Sequence, residues 1–310
     1  MVADNRPNTP DLRVSIAGVE LKNPVMTASG TFGSGMEYSE LTDLNRLGAV
    51  VTKGVAAVPW PGNPVPRVAE VCGGMLNAIG LQNPGIDVFR SRDLPFLRRF
   101  DTRIIVNVCG HTLEEYLAVV DALAEEAVDL LEINISCPNV KEGGIAFGTD
   151  PHMVETITRE VKRHAAQPVI MKLSPNVTDI SVMAKAAEAG GADAVSLINT
   201  LTGMKIDIRT RRFALANRTG GLSGPAIRPV AVRMVWQAAQ AVSIPVIGMG
   251  GITCAEDAVE FLLAGATAVA VGTATFREPE TAAGIPEGLA AYLREAGMAS
   301  VRELIGAVHD

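Results

Sequence analysis

Short apolar runs rich in Val, Ile and Ala alternate along the chain with longer stretches whose apolar residues recur at helical spacing. The runs at 24–29, 49–54, 103–108, 130–135, 168–173, 194–199, 245–250 and 268–272 read as eight buried strands. Helical spacing is clear at 113–127, 151–164, 179–189, 229–242 and 255–264. Right-handed crossovers turn such an alternation into a parallel sheet, and eight units close it into an α/β fold, the (β/α)8 TIM barrel. Ahead of it, 12–16 and 19–22 flank Ala17-Gly18 and predict an N-terminal β-hairpin, suited to lie as a lid across the barrel's bottom. Two connections are longer than a barrel requires: 55–95, which includes PWPGNPVPRV, and 200–228, where Arg- and Lys-bearing extended residues precede GGLSGP. Long βα-loop insertions at the C-terminal face are where barrels place ligand sites. With no repeat beyond the βα unit and no linker, residues 1–310 read as a single barrel domain.

Hydrophobic residues make up 48% of the chain but aromatic ones only 4%, so the core is expected to be aliphatic, as suits parallel strands covered on both faces. A net charge of −7 argues against an electrostatic nucleic-acid footprint, and the densest basic cluster, at 209–212, reads as a solvated or locally paired surface. Cys72, Cys109, Cys137 and Cys254 form no CxxC pair, which argues against an iron–sulfur cluster, a zinc ribbon or a disulfide framework and for a reducing, cytoplasmic setting. His111, His152, His164 and His309 show neither HxH nor HExxH spacing, so no metal site is expected. The N-terminus is polar, without the apolar core of a signal peptide, and no run approaches the ~20 apolar residues of a membrane span.

The strand ends carry the chemistry. Ser29, Lys53-Gly54, Asn107, Asn134, Lys172, Asn199-Thr200, Gly250-Gly251 and Gly272-Thr273 all fall at C-terminal ends, and therefore on one face of the barrel. The glycines after the last two strands, with Gly224 in what reads as a Gly221–Gly224 turn, suggest a cradle for a phosphate, where N–H groups and helix starts face an anion. Lys53 and Lys172 either pair with a carboxylate such as Glu132 or stabilise negative charge on an electron-accepting ring. Asn77, Asn83, Asn107, Asn134, Asn139 and Asn199 offer donors and acceptors to a planar amide or imide. Cys137, just past the apolar strand 130–135 with Asn134 at its exit, stands where a thiol could act as a base; the other three cysteines read as inert.

Asn134-Ile-Ser-Cys-Pro-Asn139 resembles the active-site motif of the dihydroorotate dehydrogenases, flavin enzymes of pyrimidine biosynthesis. The resemblance extends through Ala28-Ser-Gly30, Thr52-Lys-Gly54, Asn77-Ala-Ile-Gly-Leu-Gln-Asn-Pro84, Lys172-Leu-Ser-Pro175, Asn199-Thr200, Gly220-Gly-Leu-Ser-Gly-Pro225, Gly248-Met-Gly-Gly251 and Val271-Gly-Thr273. It implies FMN across the barrel mouth, the phosphate on Gly224, Gly250, Gly251, Gly272 and Thr273, and the ring bordered by Ser29, Lys53, Gly54, Asn107, Asn134, Lys172 and Ile198. Dihydroorotate would be held by Lys53, Asn77, Ala78, Ile79, Gly80, Leu81, Asn134, Asn139, Asn199 and Thr200. Cys137 would take the C5 proton while C6 gives a hydride to flavin N5, with Lys172 favouring the reduced flavin and the loop 140–148 acting as a gate.

A Cys in place of Ser as base, and no N-terminal membrane helix, are similar to the soluble class 1 enzymes. Val140-Lys-Glu-Gly-Gly144 and Pro61-Gly-Asn-Pro-Val-Pro-Arg67 resemble the type B catalytic subunit. That subtype implies a homodimer of the catalytic chain within a heterotetramer, whose second subunit carries FAD and a [2Fe–2S] cluster and passes electrons to NAD. The chain itself has no GxGxxG after a strand and no cysteine cluster. The alternatives are a fumarate-using type A enzyme, a related FMN barrel acting on another dihydropyrimidine (uracil or a tRNA dihydrouridine), and a non-catalytic phosphate-ligand barrel.

Overall fold

A computed structural model describes residues 9–135 and 147–309. The chain opens with the antiparallel hairpin β1 (Val14–Ile16) and β2 (Val19–Leu21), which buries Val14, Ile16 and Leu21. Arg103 Nε donates to the Glu20 carbonyl at 2.9 Å, and Arg103 begins a barrel strand, so the hairpin lies at the strands' N-terminal ends, as the expected lid. Strands β3 (Val25–Thr27) and β4 (Ala49–Val51) start the barrel, and the chain then leaves it for β5 (Val68–Val71) and β6 (Gly74–Asn77). It returns through β7 (Arg103–Val108), β8 (Leu130–Asn134), β9 (Val169–Lys172) and β10 (Ala194–Leu197). A second excursion makes β11 (Leu201–Met204), β12 (Ile206–Asp207), β13 (Arg212–Phe213) and β14 (Thr219–Ser223) before β15 (Val246–Met249) and β16 (Ala268–Val271) complete the ring.

The eight parallel barrel strands close in the order β3-β4-β7-β8-β9-β10-β15-β16, with β16 paired back to β3. This is the (β/α)8 TIM barrel that the alternation predicts. Helices Leu113–Leu123, Pro151–His164, Ile180–Ala189, Arg228–Ala241 and Ala255–Leu263 fall where the apolar spacing places them. Thr112, Asp150 and Asp179 cap three of them by accepting from the backbone N–H two or three residues on. The pattern does not announce the last helix, Thr281–Ala296, because Gly284, Pro286 and Gly288 punctuate it. Among the described residues no helix is long and apolar enough to cross a membrane.

The two long connections are more ordered than loops and build one structure together. Strands β11, β14, β6 and β5 form a single antiparallel sheet in that order, with Gly221 opposite Asn77. It has its own small core of Leu76, Ala78 and Leu215. The Gly221–Gly224 turn expected from the sequence is corrected here: Gly221 to Ser223 lie in β14, and the chain turns only at Gly224. Glycine is needed at Gly221 for close approach, because a Cβ there would collide with Thr200 Oγ1.

Candidate active site

The C-terminal strand ends and the inner edge of the antiparallel sheet surround a cavity of about 320 Å³. That volume lies at the lower end of the ~300–1,000 Å³ usual for small-molecule sites. Side chains make one wall of it: Lys53 after β4, Asn107 from β7, Asn134 from β8 and Lys172 from β9. Each stands at or within two residues of the C-terminal end of an apolar strand, so strand register sets its depth.

Lys172 is 4% exposed, and its Nζ donates to Ser29 Oγ at 2.9 Å. Ser29 follows β3, and β9 stands four strands from β3 in either direction around the ring of eight, so this side chain reaches across the barrel mouth. Its ammonium closes the floor of the cavity. Glu132, 2% exposed, supplies the compensating charge with Oε2 at 3.9 Å from Lys172 Nζ. The shorter contacts of that carboxylate go elsewhere: Asn107 Nδ2 donates to Oε2 at 2.6 Å and Ser196 Oγ to Oε1 at 2.8 Å. Glu132 thus offsets a buried positive charge without engaging the ammonium in a close hydrogen bond. Tyr116, on the helix after β7, donates its hydroxyl to the Asn134 carbonyl at 2.8 Å and fixes the end of β8. The position of Lys53 is marked by Gly30, where a Cβ would lie 3.7 Å from Lys53 Nζ.

The opposite wall is backbone. Gly224, Gly250, Gly251, Gly272 and Thr273 line it together. The N–H groups of Gly250, Gly251, Gly272 and Thr273 have no backbone carbonyl partner among the described residues. Gly251 has φ +80°, and a Cβ on it would sit 2.8 Å from the Gly224 carbonyl oxygen, so the fold itself demands glycine there. Thr273 Oγ1 donates to Ser223 Oγ at 2.7 Å, tying the end of β16 to β14. Asp257 accepts from Thr253 N at 2.8 Å and Thr253 Oγ1 at 2.7 Å and pairs with Arg228, which holds the loop after β15 in shape. Next to that loop, burial and then the Glu256 carboxylate push the Cys254 thiol up, which suits the inert role expected of it. Cys72 is exposed and Cys109 buried. Among the described residues no group of three or more His, Cys, Asp or Glu could hold a metal ion.

The cavity gathers the candidate residues from every barrel quarter. Ser29, Lys53, Gly54, Asn107, Asn134, Lys172 and Ile198 line it with the glycine wall, and Asn77, Ile79, Gly80, Leu81, Asn199 and Thr200 line it from the side of the sheet. Asn77 Nδ2 reaches the Gly221 carbonyl at 3.5 Å, and the Asn199 side-chain oxygen accepts from Thr200 N at 2.8 Å. Ala78 does not line the cavity: it packs in the sheet's own core, 1% exposed. Cys137, Asn139 and residues 140–146 of the expected gate lie outside the described residues. Sequence reasoning missed the apolar lining from Val68, Met75, Met249 and Phe276, as well as Ser223. The alternation on either side of Cys72-Gly73-Gly74 was a hairpin signal for the first two.

The donor set fits a flavin mononucleotide. The glycine wall offers main-chain N–H groups to a phosphate, and the side-chain wall offers two ammonium groups and amides to a polar ring. The family model for dihydroorotate dehydrogenase matches residues 11–293. The chain is 69% identical to the dihydroorotate dehydrogenase B (NAD(+)) catalytic subunit of Lachnoclostridium phytofermentans, with 95% of this chain and 98% of that protein covered. It is 62% identical to the protein of the same name from Alkaliphilus metalliredigens (96% and 99% covered) and 59% identical to that from Geotalea uraniireducens (96% and 98%). On this match over nearly its whole length, the chain belongs to the dihydroorotate dehydrogenase family.

Proposed function

We propose that this chain, as a single barrel domain, oxidises (S)-dihydroorotate to orotate in pyrimidine biosynthesis, with FMN bound across the barrel mouth. The observation that carries the reading is the two-walled cavity, where Lys53 and Lys172 stand with Asn107 and Asn134 opposite the glycine wall. FMN, when bound, supplies the two-electron acceptor. Gly224, Gly250, Gly251, Gly272 and Thr273 would hold its phosphate, and Ser29, Lys53, Gly54, Asn107, Asn134, Lys172 and Ile198 its ring. Lys53, Asn77, Asn134, Asn139, Asn199 and Thr200 would orient the substrate, together with the 78–81 backbone. Lys172 would stabilise negative charge in a poorly solvated floor, where a fixed cation acts most strongly. Cys137 would accept the C5 proton as general base, since a thiol of ordinary pKa near ~8.5 is tunable toward neutrality.

The relatives' names as catalytic subunits of a type B, NAD(+)-linked enzyme support a further step. Electrons would leave through a separate subunit, which the family resemblance implies carries FAD and a [2Fe–2S] cluster in a heterotetramer built on a homodimer of this chain. The test is anaerobic: the purified yellow protein should bleach on adding dihydroorotate. Reoxidation by fumarate would make it type A, whereas failure with fumarate, NAD and quinone analogues alike points to the missing subunit. A protein with no affinity for flavin would overturn the reading.

A further inference from the structure

We propose that Glu132 is a positioning residue that determines which way round the Asn107 and Asn134 amides face the cavity, an inference that rests on the FMN reading above. Glu132 does not line the cavity. It projects from β8 on the same side as Asn134, two residues on, and opposite Asn107 in the β7–β8 register. An ionised carboxylate accepts hydrogen bonds and donates none. Asn107 must therefore turn its NH₂ toward Glu132 Oε2, 2.6 Å away, and its Oδ1 the other way. That oxygen accepts from Asn134 Nδ2 at 3.4 Å, so the second amide is oriented by the first. Ser196 Oγ on the other carboxylate oxygen keeps Glu132 from rotating out of this chain of bonds. A flip of Asn107 would set two acceptors against each other where no water reaches, since Asn107 is fully buried and Glu132 nearly so. A ligand in the cavity thus meets one fixed order of donors and acceptors, although the residue that imposes it stays out of contact.

The experiment is FMN titration of apo-protein carrying Glu132→Gln. A carboxamide donates as well as accepts, so both orientations of the two asparagines become populated. FMN affinity should fall about tenfold or more and the visible bands of bound flavin should shift, and the melting temperature without FMN should fall as well, because the buried Lys172 loses its counter-charge. The reciprocal swap, Glu132→Gln with Asn107→Asp, rebuilds a one-way chain: the introduced amide donates to the introduced carboxylate, whose second oxygen accepts from Asn134. Its FMN affinity should exceed that of Glu132→Gln by about threefold or more, and its flavin bands should move back toward the parent's. Glu132→Gln binding FMN with parental affinity and spectrum would overturn the proposal, as would a swap that fails to fold or to bind. Should Glu132→Gln not fold, the swap alone decides. A parent chain that binds no FMN sinks the proposed function instead, so the two failures are distinct.

Discussion

The two walls of the cavity solve the same problem with opposite materials. On the β4–β9 side, long polar side chains reach inward from buried strand ends, and each needs a partner: Lys172 has Ser29 and Glu132, Asn107 has Glu132, and Asn134 has Asn107. On the β14–β16 side the groups proposed to hold the phosphate are main-chain N–H donors, and side chains are absent at the glycines because carbonyls and neighbouring Cβ atoms fill the space they would take. The first wall can be altered one group at a time with the backbone left in place. The second cannot be altered without moving the chain. Loss of an ammonium group from the first should therefore change mainly the reaction, and substitutions in the second should change cofactor retention and stability.

The largest effect is expected from Cys137→Ser. If the thiol is the base, flavin reduction by dihydroorotate in stopped flow should slow by about 10²–10⁴-fold at neutral pH, with FMN still bound. An unchanged rate would remove Cys137 from the chemistry. Lys172→Met tests the side-chain wall itself: loss of the cation from the floor should cost about 10²–10³ in reduction rate while FMN is retained. If FMN is lost instead, the division of labour between the walls is wrong.

Gly251→Ala probes the backbone wall. A Cβ at φ +80°, 2.8 Å from the Gly224 carbonyl, strains the turn, and about 1–3 kcal/mol of stability should go with it. Thermal denaturation should report that loss, and dialysis should strip FMN from the variant but not from Lys172→Met. A variant that keeps FMN and parental stability would show that the turn can yield.

How much of this was legible follows the same division. Barrel strands announce themselves because burial on both faces makes them continuous apolar runs, and Lys53, Asn107, Asn134 and Lys172 stand out as polar residues at the ends of such runs. The glycine wall was legible as a motif, but its register was not. Gly221 reads as a turn residue, yet lies in a strand, because the reason for it is Thr200, distant in sequence from any local pattern and brought close only by pairing with β11. The antiparallel sheet was illegible for a related reason: the β5–β6 hairpin joins it through β6, which pairs with β14 across some 140 residues, a contact that no local periodicity encodes. Glu132 was noted only as a potential partner for Lys172, whereas its short bonds to Asn107 and Ser196 depend on four strands in register, β7 to β10.

The smallest expected effect serves as the control for both walls. Asp11 lies outside the cavity and joins the chain's two ends: its N–H donates to the Ala299 carbonyl, Val301 N donates back to the Asp11 carbonyl, and its carboxylate pairs with Arg13 and Arg302. Hydrogen bonds from Arg13, and to a lesser degree Arg302, hold that carboxyl well below the usual carboxylate range. A depressed folded-state pKa contributes stability that is present above the unfolded carboxylate's pKa and lost as pH falls through the folded one. Because the pairs are partly solvent-exposed, Asp11→Asn should cost no more than about 1 kcal/mol at pH 7. The deficit should shrink as the pH is lowered below the carboxylate range, and it should be the same with and without FMN. Denaturant melts at neutral and acid pH check this. A deficit that grows toward acid, or one that depends on FMN, would couple the termini to the cavity and break the assumption that each wall can be perturbed locally.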